Sequence, residues 1–220
     1  MDAVDKYRAG IARRFIRGSG IEIGAFGRPL DVNDIASVVY VDKFSVEDAA
    51  RHHAMAVDQG MVRPDVLDTD GSLSMIEDGS LDFVAMCHVL EHCEDVIGTI
   101  KTHARKLKTG GVLFYVLPDK DRMFDRVRSS TQLMHLIADH FDGGASSRDD
   151  HIREWCDTVF PGADEAAVRK EVCQIHFHAW SANAQLGLWR DMTSAVGHLR
   201  ICEMSVSDDW PEIATVLRKL

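Results

Sequence analysis

The chain has 220 residues, of which 45% are hydrophobic, and these proportions suit one sizeable α/β domain with a full core. Its formal net charge of −10 argues against a nucleic acid or an anionic membrane as a partner, because both attract basic surfaces. No apolar run approaches the roughly 20 residues of a membrane span, and the N-terminus lacks the basic start and apolar core of a signal peptide. The five scattered cysteines form no Cys-x-x-Cys motif, so we predict a reducing, cytoplasmic setting.

Strands and helices are predicted to alternate through the first half of the chain. The strands are expected at residues 21–23, 38–41, 65–67, 81–87 and 112–117, and the helices at 5–17 and 96–107. The last two strands are continuous apolar runs, which is typical of strands that are buried on both faces. This alternation indicates a parallel sheet with right-handed crossovers.

The alternation ends at Pro118. Residues 119–175 are polar, rich in His, Asp and Arg, and without strand-like runs, so we predict a helical insertion over the strand ends. One helix is predicted at 178–196, followed by two strands at 199–206 and 212–217 that can pair as a hairpin. Because no linker is evident, we predict a single domain over residues 1–220 with a cap at about 119–175.

A glycine-containing turn follows the first predicted strand, in the pattern Glu22-x-Gly24-x-x-Gly27. Glycine lets the backbone approach a ligand, since it has no Cβ atom. An ordinary strand-to-helix turn would give the same pattern. The full Gly-x-Gly-x-x-Gly motif of pyrophosphate sites is missing, and the carboxylate of Glu22 suits a cationic ligand, so a ligand without phosphates is favoured.

Two further acidic positions fit a nucleoside pocket. Asp42 ends the second predicted strand and can accept hydrogen bonds from both ribose hydroxyls; its alternative role is a helix N-cap. Asp70-Gly71 can hold an adenine amino group or form an ordinary Asp-Gly turn.

The motif His88-Val89-Leu90-Glu91-His92 follows the fourth predicted strand. Ligands of open α/β sheets bind beyond the carboxyl ends of the strands, so this motif is expected beside the pocket. Its spacing differs from the His-Glu-x-x-His zinc motif, although both place two histidines at i and i+4.

Together these segments resemble class I S-adenosylmethionine-dependent methyltransferases. The segments that carry the resemblance are 21–24, 40–42, 78–84, 88–92 and 107–113. The resemblance implies a Rossmann-like, mostly parallel seven-stranded sheet with helices on both faces and an antiparallel last strand. It also implies S-adenosyl-L-methionine as cofactor. One departure is the run 25–29, which replaces the usual third glycine turn.

The same resemblance assigns roles to individual residues. The residues implied at the methionine end are Glu22, Gly24, Ala25 and Gly27. Asp42 is implied at the ribose hydroxyls, Asp70 and Gly71 at the adenine, and His88 beside the sulfonium.

The insertion is similar to that of a branch of these enzymes associated with polysaccharide and sugar modification. The segments that carry this similarity are 117–120, 124–128, 135–140 and 175–180. The similarity implies a sugar or glycoside as the methyl acceptor.

A sugar hydroxyl is a poor nucleophile, so its methylation benefits from a base or a metal. The candidate catalytic residues are His140, His135, Asp119, Asp125 and His176. Helical spacing places His135 beside Asp139 and His151 beside Glu154, where a carboxylate could orient an imidazole, and a solvated, charge-rich helix face is the alternative for either pair. The candidate metal ligands are His140, His176, His178 and Asp139. Mg²⁺ would prefer carboxylates, whereas histidines favour a softer ion, and the sequence does not require either.

The function predicted from the sequence is S-adenosylmethionine-dependent O-methylation of a small molecule, with a sugar or glycoside as the expected substrate. N-methylation of a small amine is one alternative. A nicotinamide-dependent oxidoreductase is another, although the missing glycine and the lack of a Tyr-x-x-x-Lys pair speak against it. A cofactor-binding module without catalysis is a third. The oligomeric state is left open, with a homodimer among the alternatives.

Overall fold

A computed structural model describes residues 2–52, 61–170 and 175–220, and seven strands of this described part form one sheet. The strands are β1 (Gly18–Ile23), β2 (Ala36–Asp42), β3 (Val66–Leu67), β4 (Leu81–Cys87), β5 (Leu107–Pro118), β6 (Leu199–Val206) and β7 (Glu212–Lys219). Their order across the sheet is β3-β2-β1-β4-β5-β7-β6.

The pairing confirms the predicted mixed sheet. β1 pairs in parallel with β2 and β4, and β4 pairs in parallel with β5. β7 runs antiparallel to both β5 and β6, so the final two strands form the predicted hairpin. Because β1, β2 and β4 are parallel neighbours, their carboxyl ends meet at one edge of the sheet.

The sheet is buried on both faces because its central strands carry apolar residues at successive positions. In β4, Phe83 and Ala85 pack into one cluster with residues of the N-terminal helix, such as Ile11. Val84 and Met86 pack into the other cluster, which contains Trp189. This alternation is the expected consequence of side chains that point to opposite faces along a strand.

The α-helices are α1 (Ala3–Phe15), α2 (Val46–His52), α3 (Val96–Lys106), α4 (Leu133–Asp142), α5 (Arg148–Glu154), α6 (Glu165–Lys170) and α7 (Ala182–Val196). Short 3₁₀ turns cover Leu90–His92, Lys120–Arg122 and Phe124–Val127, and a π turn covers Trp155–Val159. Side-chain caps explain several helix starts. Asp2 and Asp5 form a capping box at α1, and Asp95 accepts a hydrogen bond from Gly98 N at α3.

Two predicted helix boundaries were wrong. The helix predicted at 178–196 begins only at Ala182, because the side chain of Ser181 caps the backbone N–H of Ala184. His178, where the helix was predicted to begin, is buried, and its N–H donates a hydrogen bond to the carbonyl of Glu91. The helix predicted at 5–17 covers Ala3–Phe15 instead, because Ile16 has left helical geometry.

The segment after Pro118 contains short helices, as predicted, and it contacts the loop that follows β4. Arg148 forms an ion pair with Glu94, and Nδ1 of His140 lies 2.9 Å from the carboxylate of Asp95. We propose on this basis that residues 119–175 act as a cap within a single domain. Among the described residues, no helix has the length and apolar character needed to cross a membrane.

Candidate active site

A cavity of about 750 Å³ lies at the carboxyl ends of β1, β2 and β4. Its walls come from the turn after β1, the end of β2, residues 68–73, the loop 88–95 and the start of α3. A volume of this size is within the range of about 300–1,000 Å³ that is typical of small-molecule sites. The position matches the edge at which ligands of open α/β sheets bind.

The turn after β1 brings its backbone to the cavity wall. Gly24 has a φ of +69°, and a Cβ atom at this position would lie 2.5 Å from a methyl carbon of Val89. Glycine is therefore required here by both conformation and space. Phe26 also lines the cavity, whereas Ala25 and Gly27 flank it without forming part of the wall.

Glu22 lies beneath this turn and does not line the cavity. Its side chain is buried, and both carboxylate oxygens accept the N–H of Leu30, at 3.0 and 3.1 Å. Burial raises the pKa of Glu22 to about 7, although the hydrogen bond from Leu30 opposes this shift. The geometry gives Glu22 a part in fixing the loop, and its predicted contact with the methionine end stays a prediction.

The predicted ribose and adenine residues line one side of the cavity. Asp42 is buried at the end of β2, and its Oδ1 accepts the N–H of Phe44 at 3.0 Å. Asp70 accepts the N–H of Ser72 at 2.9 Å, and hydrogen bonds from Ser72 lower the pKa of this carboxyl. Asp68, which the sequence did not single out, adds a third carboxylate to this wall.

His88 lines the cavity between two buried carboxylates. Its Nε2 lies 2.9 Å from Oε1 of Glu212, and its Nδ1 lies 3.6 Å from Oε1 of Glu91. Glu212 also forms a buried ion pair with Arg8 of α1. His88 has a φ of +55°, and such strained backbone in a non-glycine residue is concentrated at functional sites.

His92 is the second imidazole on this wall, and the sequence did not predict a catalytic role for it. Its Nδ1 lies 2.8 Å from the carbonyl of Ile175, and burial lowers its pKa to about 4. Its ring packs edge-on against His176, with the centroids 4.7 Å apart. Ile175 and His176 lie more than 80 positions from His92 along the chain, so spacing in the sequence could not indicate these contacts or a role for His92.

Two predicted catalytic residues, Asp125 and His176, form a buried pair behind His92. Nδ1 of His176 lies 2.6 Å from Oδ2 of Asp125. Burial alone would raise the pKa of Asp125, but the hydrogen bonds from His176 and Arg128 outweigh it and keep the pKa below its usual value. Nearby Glu91 is fully buried, and its carboxylate has no hydrogen-bond partner in the described part of the chain.

The other predicted catalytic residues have partners elsewhere and do not line the cavity. His140 contacts Asp95 through Nδ1 and Lys101 through Nε2, each at 2.9 Å. Asp119 accepts the N–H of Asp121 at 3.2 Å and so caps a 3₁₀ turn. His135 lies within a separate group of histidines in the cap.

The structure does not bring the four predicted metal ligands together. Asp139 and His178 lie in one cluster with His135 and His151. His176 lies in another cluster with Glu91 and His92, and His140 pairs with Asp95.

The strand order, with the last strand of the chain, β7, antiparallel to both its neighbours, and the cavity at the carboxyl ends define a Rossmann-like methyltransferase fold. Residues 3–159 match the family Methyltransf_23, described as "Methyltransferase domain". The chain therefore belongs to this family, and it is a methyltransferase that uses S-adenosyl-L-methionine. The required glycine at position 24 and the size of the cavity fit that cofactor.

Solved structures show the same fold at low sequence identity. A SAM-dependent methyltransferase from Aquifex aeolicus is 10% identical, with a TM-score of 0.54 over 100% of this chain and 94% of that one. A possible histamine N-methyltransferase from Thermotoga maritima is 14% identical, with a TM-score of 0.51 over 99% and 89%. The mitomycin 7-O-methyltransferase MmcR is 13% identical, with a TM-score of 0.50 over 99% and 55%. A search of curated proteins found no matching relative.

Proposed function

We propose that this enzyme methylates a hydroxyl group of a small molecule, and that a sugar or glycoside is its acceptor. The observation that carries the proposal is an imidazole, His92, on the cavity wall after β4, whose Nδ1 contacts a backbone carbonyl and so leaves Nε2 as a proton acceptor. A hydroxyl needs a proton acceptor to become a good nucleophile, whereas a neutral amine does not.

The cofactor supplies an activated methyl group on a positively charged sulfur. Asp42, Asp68 and Asp70 line the cavity, and their negative charges would favour a cation there. Asp42 would accept hydrogen bonds from the ribose hydroxyls, and Asp70-Gly71 would lie at the adenine. The turn at Gly24 would receive the methionine end, and His88 would lie on the sulfonium side.

His92 would act as the general base. Its pKa of about 4 keeps the ring uncharged at neutral pH, and the contact of Nδ1 with the carbonyl of Ile175 leaves Nε2 to accept the hydroxyl proton. As the proton moves to Nε2, the acceptor oxygen forms its bond to the methyl carbon and the carbon–sulfur bond breaks. His176, held by Asp125, would position the ring of His92.

Aromatic side chains next to His176 support a sugar as the acceptor. Phe124 is partly exposed, and its ring centroid lies 4.9 Å from that of His176. Trp155 is buried and packs edge-on against Phe124, so Phe124 is the ring that a sugar can reach. Aromatic rings offer flat apolar faces, and the ring carbons of a sugar can pack on them.

Fold similarity does not choose between oxygen and nitrogen as the methylated atom. The similar Thermotoga maritima protein is a possible N-methyltransferase of an amine, whereas MmcR is an O-methyltransferase. The base on the wall favours oxygen. N-methylation is retained as the competing outcome of the experiment below.

The proposal is tested by incubating the enzyme with S-adenosylmethionine that carries a labelled methyl group. One panel contains glycosides with free hydroxyls, a second contains the same glycosides with blocked hydroxyls, and a third contains small amines. We expect label in ether linkages of the first panel alone. Transfer to amines with none to free glycosides would contradict the proposal.

Asp42 is expected to contribute strongly to cofactor binding. Replacing it by alanine should weaken binding of S-adenosylhomocysteine by about 1–3 kcal/mol, the scale for losing charge-assisted hydrogen bonds. Isothermal titration calorimetry measures this change. Asp34→Ala is the matched control, because that carboxylate is exposed and pairs with Arg13. Equal affinity in both variants would remove Asp42 from the cofactor site.

His92 is expected to affect the methyl-transfer rate more than cofactor affinity. His92→Asn keeps a donor for the carbonyl of Ile175 but removes the basic nitrogen, so the rate should fall roughly 100-fold or more. His140→Ala is the comparison, because both ring nitrogens of His140 are engaged outside the cavity. A normal rate in the first variant together with a large loss in the second would return the role of base to His140.

A further inference from the structure

Three side chains of the cap and one from the segment that follows it converge in a way that the methyl-transfer chemistry does not use. They are His135 and Asp139 on α4, His151 on α5, and His178 just before α7. One possible ligand atom from each residue lies within 4.8 Å of the corresponding atoms of the other three. Asp139, His151 and His178 are buried, and the side chain of His135 is 40% exposed.

The separations between these atoms match those of a metal site. Nε2 of His135 lies 3.0 Å from Nε2 of His151 and 3.2 Å from Oδ2 of Asp139. The ligand atom of His178 lies within 4.8 Å of these three atoms. Tetrahedral zinc with bonds of about 2.0–2.1 Å holds its ligand atoms roughly 3.3 Å apart.

Neighbouring groups orient the side chains as the surroundings of a metal usually do. Oγ of Ser147 donates to Oδ1 of Asp139 at 2.5 Å, while Oδ2 has no hydrogen-bond partner among the described residues. The ring of His178 contacts the carbonyl of Glu94 through Nε2 at 3.2 Å, and its Nδ1 has no partner in the same described part. Ligating histidines characteristically use one ring nitrogen for a backbone carbonyl and the other for the metal.

We propose that His135, Asp139, His151 and His178 bind one zinc ion that holds the cap together. Three imidazoles and one carboxylate suit zinc, whereas magnesium would prefer an oxygen-rich site. Four protein ligands fill a tetrahedral ion, so the site has a structural role and leaves no open position for a substrate.

The ion would connect the cap to the wall of the cofactor cavity. His178 donates its backbone N–H to the carbonyl of Glu91, and its ring reaches the carbonyl of Glu94. Glu94 lines the cavity and forms an ion pair with Arg148 at the start of α5. Zinc bound at this cluster would therefore fix the loop that carries His88 and His92. This proposal does not depend on the nature of the methyl acceptor.

The test is a zinc titration of the full chain after removal of metals with a chelator, with a chromophoric chelator as competitor. We expect one zinc per chain, a rise in the melting temperature on zinc addition, and absorption bands of tetrahedral Co²⁺ after substitution. Asp139→Asn, which preserves side-chain size and the contact with Ser147, should weaken zinc binding by about 100-fold or more.

Two further variants make the assignment specific. His198→Asn alters an exposed histidine outside the cluster and should leave zinc affinity unchanged. His176→Ala removes a ligand of the competing group Glu91, His92 and His176, and it should also leave zinc affinity unchanged. The proposal is overturned if the chain binds no zinc, if Asp139→Asn binds it normally, or if only His176→Ala loses it. Binding of S-adenosylhomocysteine is measured separately, so that a failure of the zinc proposal can be distinguished from a failure of the proposed cofactor site.

Discussion

Replacing Glu212 by alanine is expected to lower the free energy of unfolding by about 3–5 kcal/mol, the cost of removing one partner of a buried ion pair. The side chain of Glu212 is fully buried at the start of β7, where it pairs with Arg8 of α1 and contacts His88. The hydrogen bonds from His88 and Arg8 outweigh the effect of burial and lower the pKa of Glu212, so the carboxylate is charged at neutral pH. Its loss would leave the guanidinium of Arg8 buried without its partner.

Urea denaturation at neutral pH measures this loss. Glu203→Ala is the matched control, because Glu203 pairs with the exposed Arg14 and such pairs contribute only about 0–1 kcal/mol. The double variant Arg8→Met/Glu212→Leu should recover most of the stability, since apolar residues often replace a buried ion pair without cost. A loss below about 1 kcal/mol in Glu212→Ala would contradict the importance of the pair.

Acid is expected to destabilise the protein through His103 of α3. This side chain is buried, and its Nδ1 lies 2.8 Å from the hydroxyl of Tyr115. Burial lowers the pKa of His103 to about 3, whereas an exposed histidine titrates near 6.5. Below pH 6.5 the unfolded chain therefore binds a proton that the folded chain does not. The contribution of His103 to stability should fall by about 1.4 kcal/mol per pH unit as the pH drops from about 6.5 towards about 3, with no such effect above this range.

His103→Asn isolates this contribution, because asparagine can still hydrogen-bond to Tyr115 but does not titrate. The measurement is the difference in unfolding free energy between the variant and the wild type at several pH values between about 4 and 8, on either side of the ordinary histidine pKa. The variant should gain stability relative to the wild type as the pH falls, while His198→Asn, at an exposed position, should show no such trend. A constant difference for His103→Asn would contradict the lowered pKa.

The sequence predicted the sheet and several residues of the cavity wall because these features depend on local patterns. Apolar runs identified the strands, and parallel strands necessarily bring their carboxyl ends together. Asp42 ends a strand, Asp70 and His88 each follow one, and the structure places all three on the cavity wall. Glu22 precedes the turn on the same strand as Ile21 and Ile23, but it points to the opposite face and bonds to Leu30.

The contacts of the candidate acid–base residues could not be predicted in the same way, because their partners are distant along the chain. Helical spacing placed His135 beside Asp139, and in the structure Nε2 of His135 lies 3.2 Å from Oδ2 of Asp139. Nothing in the spacing indicated that His140 would contact Asp95 and Lys101. The packing of the described residues of the cap, 119–170, on the loop after β4 decides these contacts, and that packing depends on the whole fold.

The central claim is that the cavity beyond β1, β2 and β4 holds the sulfonium nucleoside, with its methyl directed to the wall that carries His88 and His92. A crystal structure of the protein with bound S-adenosylhomocysteine tests this claim most directly. We predict ribose hydroxyls on the carboxylate of Asp42, adenine at Asp70-Gly71, and sulfur facing His88. A nucleoside bound elsewhere, with its ribose remote from Asp42, would contradict the account.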